Sequence, residues 1–213
     1  METGNRAKLT SYLMLGVISL ILFLSGVQLA NTWTKVLTSF PLAITVLFAC
    51  FDKWIWRAPV VLSVVRRPWL GGTWRGALTS YRVDGTSGVK ISSEHPVVLT
   101  VEQTFTSIRT VLMTAESKSR SLAAEFIRHG NNDYTLLYSY DNTPKVEFRD
   151  RSNVHRGTTA AEVQGPAPTR LESEYWTNRD TKGTFTLQLA TRKVVGSFDE
   201  GNKLPAMTPK KGR

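Results

Sequence analysis

From Leu9 to Thr34 the chain carries no Asp, Glu, Lys or Arg, and Leu13 to Leu29 is almost wholly apolar. About 20 such residues, wound as a helix, cross a hydrocarbon layer ~30 Å thick. The run is too long for the core of a signal peptide, and no small-residue cleavage site of the usual form follows it. A second apolar run, Val36 to Phe51, is extended past Asp52 and Lys53 by Trp54, Ile55 and Trp56. The expectation is a hairpin of two transmembrane helices over 9–57, preceded by a short terminus, 1–8, and followed by a linker, 58–68. Pro41 and the early charge pair leave a tilted, re-entrant or interfacial second helix as the alternative. Lys35 is the only charge between the runs, whereas Arg6 and Lys8 precede them and Lys53, Arg57, Arg66 and Arg67 follow. Basic residues near span ends are retained in the cytoplasm. The sequence therefore predicts an inner-membrane protein with two spans, its N-terminus and large remainder cytoplasmic. Trp33, Trp54 and Trp56 fall where aromatic belts are expected.

The single Cys50 cannot form an internal disulfide, which excludes a secreted disulfide scaffold. With 27 basic and 17 acidic residues the chain has a formal charge of +10. Setting aside Arg6, Lys8, Lys35, Glu2 and Asp52 leaves residues 53–213 with 24 basic and 15 acidic side chains, nearly the whole excess. Such a field favours anionic partners: a nucleotide, a nucleic acid or an anionic lipid surface. A basic surface turned toward lipid is the plainer reading of the same charge.

From Trp74 onward the pattern has period two, with β-branched and aromatic runs separated by Gly, Asn, Asp, Ser and Pro. Strands are predicted near 73–81, 96–103, 107–114, 121–128, 133–140, 156–163, 170–177 and 184–191. Eight strands fit one antiparallel, lipocalin-like barrel over 69–193, and eight is the number at which a barrel holds one small ligand. A sandwich is the alternative. Residues 194–213 lack periodicity and are predicted to be a disordered tail. Alternation also assigns faces. Phe185, Leu187 and Leu189 share one, as do Leu171, Ser173, Tyr175, Thr177, Arg179 and Thr181, and as do Tyr134, Leu136, Tyr138 and Tyr140, running on to Asn142 and Pro144. An interior so rich in tyrosine and hydroxyls is unusual for an inert core, because each buried hydroxyl without a partner costs about 1–3 kcal/mol.

No catalytic signature is present, and the chain is not expected to be an enzyme. His95, His129 and His155 are scattered and have no metal-cage spacing. No Gly-rich loop opens a helix, so neither a P-loop nor a dinucleotide fingerprint is available. Gly71, Gly72 and Gly76 around Trp74 read as the entry turn of the barrel. Glu172 and Glu174 fall on the outward face. What remains is a binding constellation. Aromatic rings stack on nucleobases, and Arg pairs bidentately with phosphate. Tyr138, Tyr140, Tyr175 and Arg179 have that chemistry; the competing reading places the tyrosines as barrel core with hydroxyls at the rim. Arg149, Arg151, His155 and Arg156 form a basic loop, either simply solvated or a phosphate funnel.

The run Tyr138-x-Tyr140-x-Asn142-x-Pro144, then His155-x-Gly157, then Leu171-x-x-x-Tyr175-x-Thr177-x-Arg179-x-Thr181-x-Gly183, behind two apolar helices, resembles one type of CBASS anti-phage effector. These are the effectors associated with CD-NTases (SMODS) that have two transmembrane helices and a β-strand-rich domain. The likeness spans residues 9 to about 192, with its motifs in 138–183. Ser173 stands where the family pattern has Gly. The resemblance implies a sensor of a cyclic di- or trinucleotide made by a CD-NTase, with no cofactor, no metal and no DNA or RNA polymer as partner. It implies that binding drives self-association and disruption of inner-membrane lipid, killing the infected cell in abortive infection. By motif it places Tyr138, Tyr140, Asn142, Tyr175, Thr177, Arg179 and Thr181 at the ligand. A lipocalin-like barrel for a lipid, or a filled barrel that docks a protein, are the rival readings.

Overall fold

The computed structural model describes residues 16–18, 20–21, 32–83, 88–130, 132–205 and 207. They divide into two compact units, one of residues 1–61 with 104–107 and one of 62–103 with 108–213.

In the first unit the second apolar run is helical, α1 (Thr32–Lys53), followed by a 3-10 turn, Ile55–Arg57. Among the described residues no helix is long and apolar enough to cross a membrane. This overturns the two-span hairpin and the inner-membrane placement read from the sequence. The first apolar run lies largely outside the described residues, with helical backbone at 16–18 and 20–21. The reason is local for the second run. Its first half is interrupted by Lys35, Thr38, Ser39 and Pro41, and its last turn makes polar contacts to a loop. The Asp52 carbonyl accepts from Phe105 N at 2.9 Å, and Asp52 Oδ1 accepts from Thr106 N at 2.8 Å. Trp56, expected in an interfacial belt, is instead fully buried, with its ring 6.1 Å from that of Phe105.

A short helix, α2 (Pro59–Val65), leads into the second unit. There eight strands follow: β1 (Gly72–Val83), β2 (Lys90–Gln103), β3 (Ile108–Met113), β4 (Ser117–Arg128), β5 (Asp133–Pro144), β6 (His155–Gln164), β7 (Arg170–Thr177) and β8 (Lys182–Thr191). Each pairs antiparallel with the next, and β8 pairs with β1, so the barrel is closed. Closure leaves no open sheet edge to template aggregation. The predicted alternation holds on β7, where Leu171, Ser173 and Tyr175 are buried between exposed neighbours, and on β8 with Phe185, Leu187 and Leu189.

One end of the barrel is plugged by the segment before β1. Gln103 accepts from Leu70 N and donates to Pro68 O, both at 2.8 Å, and the Trp74 indole donates to Leu70 O at 2.8 Å. Arg192 lies over the Trp69 ring, 4.1 Å from its centroid, and donates to Trp69 O and Gly71 O. Within 194–213, the stretch expected to be a disordered tail, the described residues 194–205 and 207 carry their own cap and their own apolar contacts. Ser197 accepts from Glu200 N at the start of α3 (Phe198–Asn202), while Glu200 Oε2 accepts from Gly196 N. Val195, Phe198 and Leu204 pack on Val98 and Met113 outside the barrel.

Candidate functional site

At the end opposite the plug, where β1, β3, β5 and β7 finish, the barrel opens into a cavity of about 290 Å³. Six of the seven residues singled out by motif line it: Tyr140, Asn142, Tyr175, Thr177, Arg179 and Thr181. Tyr138 does not; it lies one inward position deeper on β5, its ring centroid 6.2 Å from that of Tyr140. The Tyr138 hydroxyl is buried without a hydrogen-bond partner of ordinary geometry, as is the Ser173 hydroxyl. Burial pushes the Tyr138 phenol up to about 12, with Thr159, opposite it across β6, easing the shift. Tyr140 is raised too, first by burial and then by its neighbours Tyr138 and Tyr175. Tyr175 is raised by burial, with the Ser80 hydroxyl countering in part. All three phenols therefore stay neutral at physiological pH and keep a proton to donate.

Asn142 is held on the wall by two donated hydrogen bonds, to Ser117 Oγ at 3.0 Å and Ser119 Oγ at 2.8 Å. Thr177, Arg179 and Thr181 belong to the β7–β8 hairpin. Thr177 N donates to Thr181 O at 2.9 Å, Thr177 Oγ1 donates to the same carbonyl and accepts from Arg179 N, and Asp180 takes the left-handed conformation, φ +56°. This compact turn sends the Arg179 side chain across to the β5–β6 loop, where Nη1 donates to Asn153 O at 3.1 Å. His155 Nδ1 stands 3.3 Å from Arg179 Nη1 and 3.0 Å from Asn153 O; a neutral ring nitrogen serves one of these at a time. Burial lowers the His155 pKa below its ordinary value, the Asn153 carbonyl opposes, and the Arg179 charge lowers it further.

The basic loop foreseen before β6 divides on inspection. Arg151 pairs with Glu116 at 2.6 Å and Arg156 with Asp141 at 2.8 Å, whereas His155, with Phe148 and Ser152, lines the cavity. Sequence reasoning missed the lining contributed by Ser80, Ser93, His95 and Thr159. Thr159 was recoverable as the cross-strand partner of Tyr138; the others sit at strand ends where alternation gives no signal. Among the described residues no group of three or more His, Cys, Asp or Glu is placed to hold a metal ion.

A closed barrel of eight strands, plugged at one end and opening at the other into an aromatic and hydroxyl-rich cavity, defines a small-ligand-binding β-barrel. Comparison with known proteins makes the class specific. Residues 65–189 match the family described as Cap15, cyclic dinucleotide receptor domain, and the chain belongs to that family. It is 25% identical over 188 residues to CD-NTase-associated protein 15 of Staphylococcus schleiferi, covering 88% of this chain and 97% of that protein. To the protein of the same name from Yersinia aleksiciae it is 28% identical over 146 residues, 68% of this chain and 65% of that protein. The resemblance to CBASS effectors that carry a cyclic-nucleotide-binding barrel is upheld.

Proposed function

We propose that this chain is a CBASS effector whose barrel binds a cyclic dinucleotide in the cavity at its open end. The observation that carries the reading is the meeting of two cavity-lining tyrosine rings, Tyr140 and Tyr175, with a guanidinium, Arg179, at the same mouth. Rings and guanidinium suit the two parts of such a ligand, bases and phosphates. A volume of about 290 Å³ is at the small end for ligand sites, so the bases enter and the phosphodiesters remain at the mouth beside Arg179 and His155. Asn142, Thr177 and Thr181 supply hydrogen bonds, and Tyr138 supports the ring of Tyr140 from below. The barrel acts as a receptor and not as an enzyme.

In the same proposal a CD-NTase supplies the ligand, occupancy drives self-association of the chain, and the assembly disrupts membrane lipid and kills the infected cell. Family membership supports this sequence of events. A ligand drives assembly only by binding the assembling state more tightly.

Calorimetric titration of the full-length chain with a panel of 3′,3′-cyclic dinucleotides tests the receptor reading. Tight binding of one member, weakened about tenfold or more by Arg179→Ala, is expected; no binding by the folded wild type rejects it. Sedimentation velocity with that ligand then tests assembly, and dye release from vesicles tests the membrane step.

A further inference from the structure

Tyr140 and Tyr175 occupy equivalent places in two successive hairpins, and each faces a glycine. Tyr140 on β5 is directly opposite Gly157 on β6, and Tyr175 on β7 is directly opposite Gly183 on β8. Neither glycine has the positive φ that demands glycine, so backbone conformation does not explain them. Space does. A Cβ built on Gly157 would meet the Tyr140 ring first, 2.5 Å from Cζ, and the Trp176 carbonyl oxygen at 2.7 Å; one on Gly183 would meet the Thr79 carbonyl oxygen first and then the Tyr175 ring, 2.6 Å from Cε1. Both positions face inward, Gly183 buried on the Phe185 side of β8. The tip of each ring thus fills the place where the next strand would project a side chain. The rings lie along the barrel wall, leaning in the same rotational sense, and the lumen beside them stays open.

We propose that Gly157 and Gly183 are positioning residues of the ligand site. Each seats one tyrosine ring against the wall, so that Tyr140 and Tyr175 form two matched stacking platforms for a ligand carrying two bases. This rests on the receptor reading and adds to it a count: two platforms, one for each base. It also separates the two tyrosines from Tyr138, which is opposite Thr159 and has no such seat.

The test is titration of the full-length chain with 3′,3′-cyclic dinucleotides covering all pairs of the four bases. Gly157→Ala and Gly183→Ala each weaken the tightest wild-type ligand roughly five- to hundredfold, the loss of one stacked base. In a Tyr140→Leu background Gly157→Ala adds nothing, because its effect runs through the ring. A further loss in that background, or single variants binding within threefold of wild type, overturns the inference while the receptor reading stands. Absence of binding by wild type removes the receptor reading itself. Should Gly157→Ala fail to fold, the Tyr140→Leu/Gly157→Ala double variant decides. Recovery of folding once the ring is gone upholds the seat; a double variant as unfolded as the single one overturns it.

Discussion

At the scale of single residues, charge at the cavity mouth is the most directly testable feature. Arg179 is exposed and packs on no core cluster, so Arg179→Ala is expected to leave the melting temperature of the ligand-free protein within about 2 °C of wild type. His155 gives a pH signature. Its pKa in the free protein lies below the ordinary 6.5, because burial and Arg179 disfavour the imidazolium. Its neutral form therefore supports the fold above pH 6.5, and that support is lost as pH falls from there through the lowered pKa. An anionic phosphate placed beside it reverses the electrostatics, raises the pKa and makes binding take up a proton. NMR titration of the His155 ring should show the lowered value without ligand and an upward shift with it. An unchanged value in the complex would mean that no phosphate sits there. The lining of the cavity was legible at this scale because motif residues recur at period two on strands, so spacing put Tyr140 and Asn142 on one face of β5, and Tyr175 and Thr177 on one face of β7. Tyr138 has the same spacing and the same face. Its depth along the barrel axis depends on where the strand ends, which spacing does not encode.

Among the elements, the described part of the tail after β8 is informative. Ser197-x-x-Glu200 is a capping-box spacing, visible in the sequence beneath its Gly and Lys content. Val195, Phe198 and Leu204 then fasten the segment over Val98 and Met113, and Arg75 Nη1 donates to Leu204 O. Phe198→Ala is expected to destabilise the barrel by about 1–2 kcal/mol, the transfer value of a partly buried ring, read as a lower urea midpoint. Ser197→Ala should cost about 1 kcal/mol or less, as an exposed cap. β2 shows a different limit of sequence reading. Its first seven residues, Lys90 to Pro96, are exposed and do not alternate, and burial begins only at Val97; backbone pairing to β1 from Ala77 to Val83 extends the strand all the same. For α1 the apolar composition was read correctly and its use was not. The contacts of Asp52 with Phe105 and Thr106 join residues more than fifty positions apart, which no local window registers.

For the whole molecule, ligand occupancy and stability are linked by mass action. A ligand held at 100 times its Kd should stabilise the folded barrel by about 2.7 kcal/mol, seen as a melting temperature that climbs with ligand concentration. The same titration in Gly183→Ala should climb less at equal concentration. The closure that makes the barrel also orders events during synthesis. β1 is held on one side by β8, so Thr73 finds its partner only when Thr191 has been made, and the cavity draws its wall from residues as far apart as Leu78 and Phe185. A nascent or truncated chain short of β8 has no complete lumen and no second ring seat. A barrel built this way offers its ligand no complete site until β8 has been made, and a copy interrupted before that strand has nothing to close on.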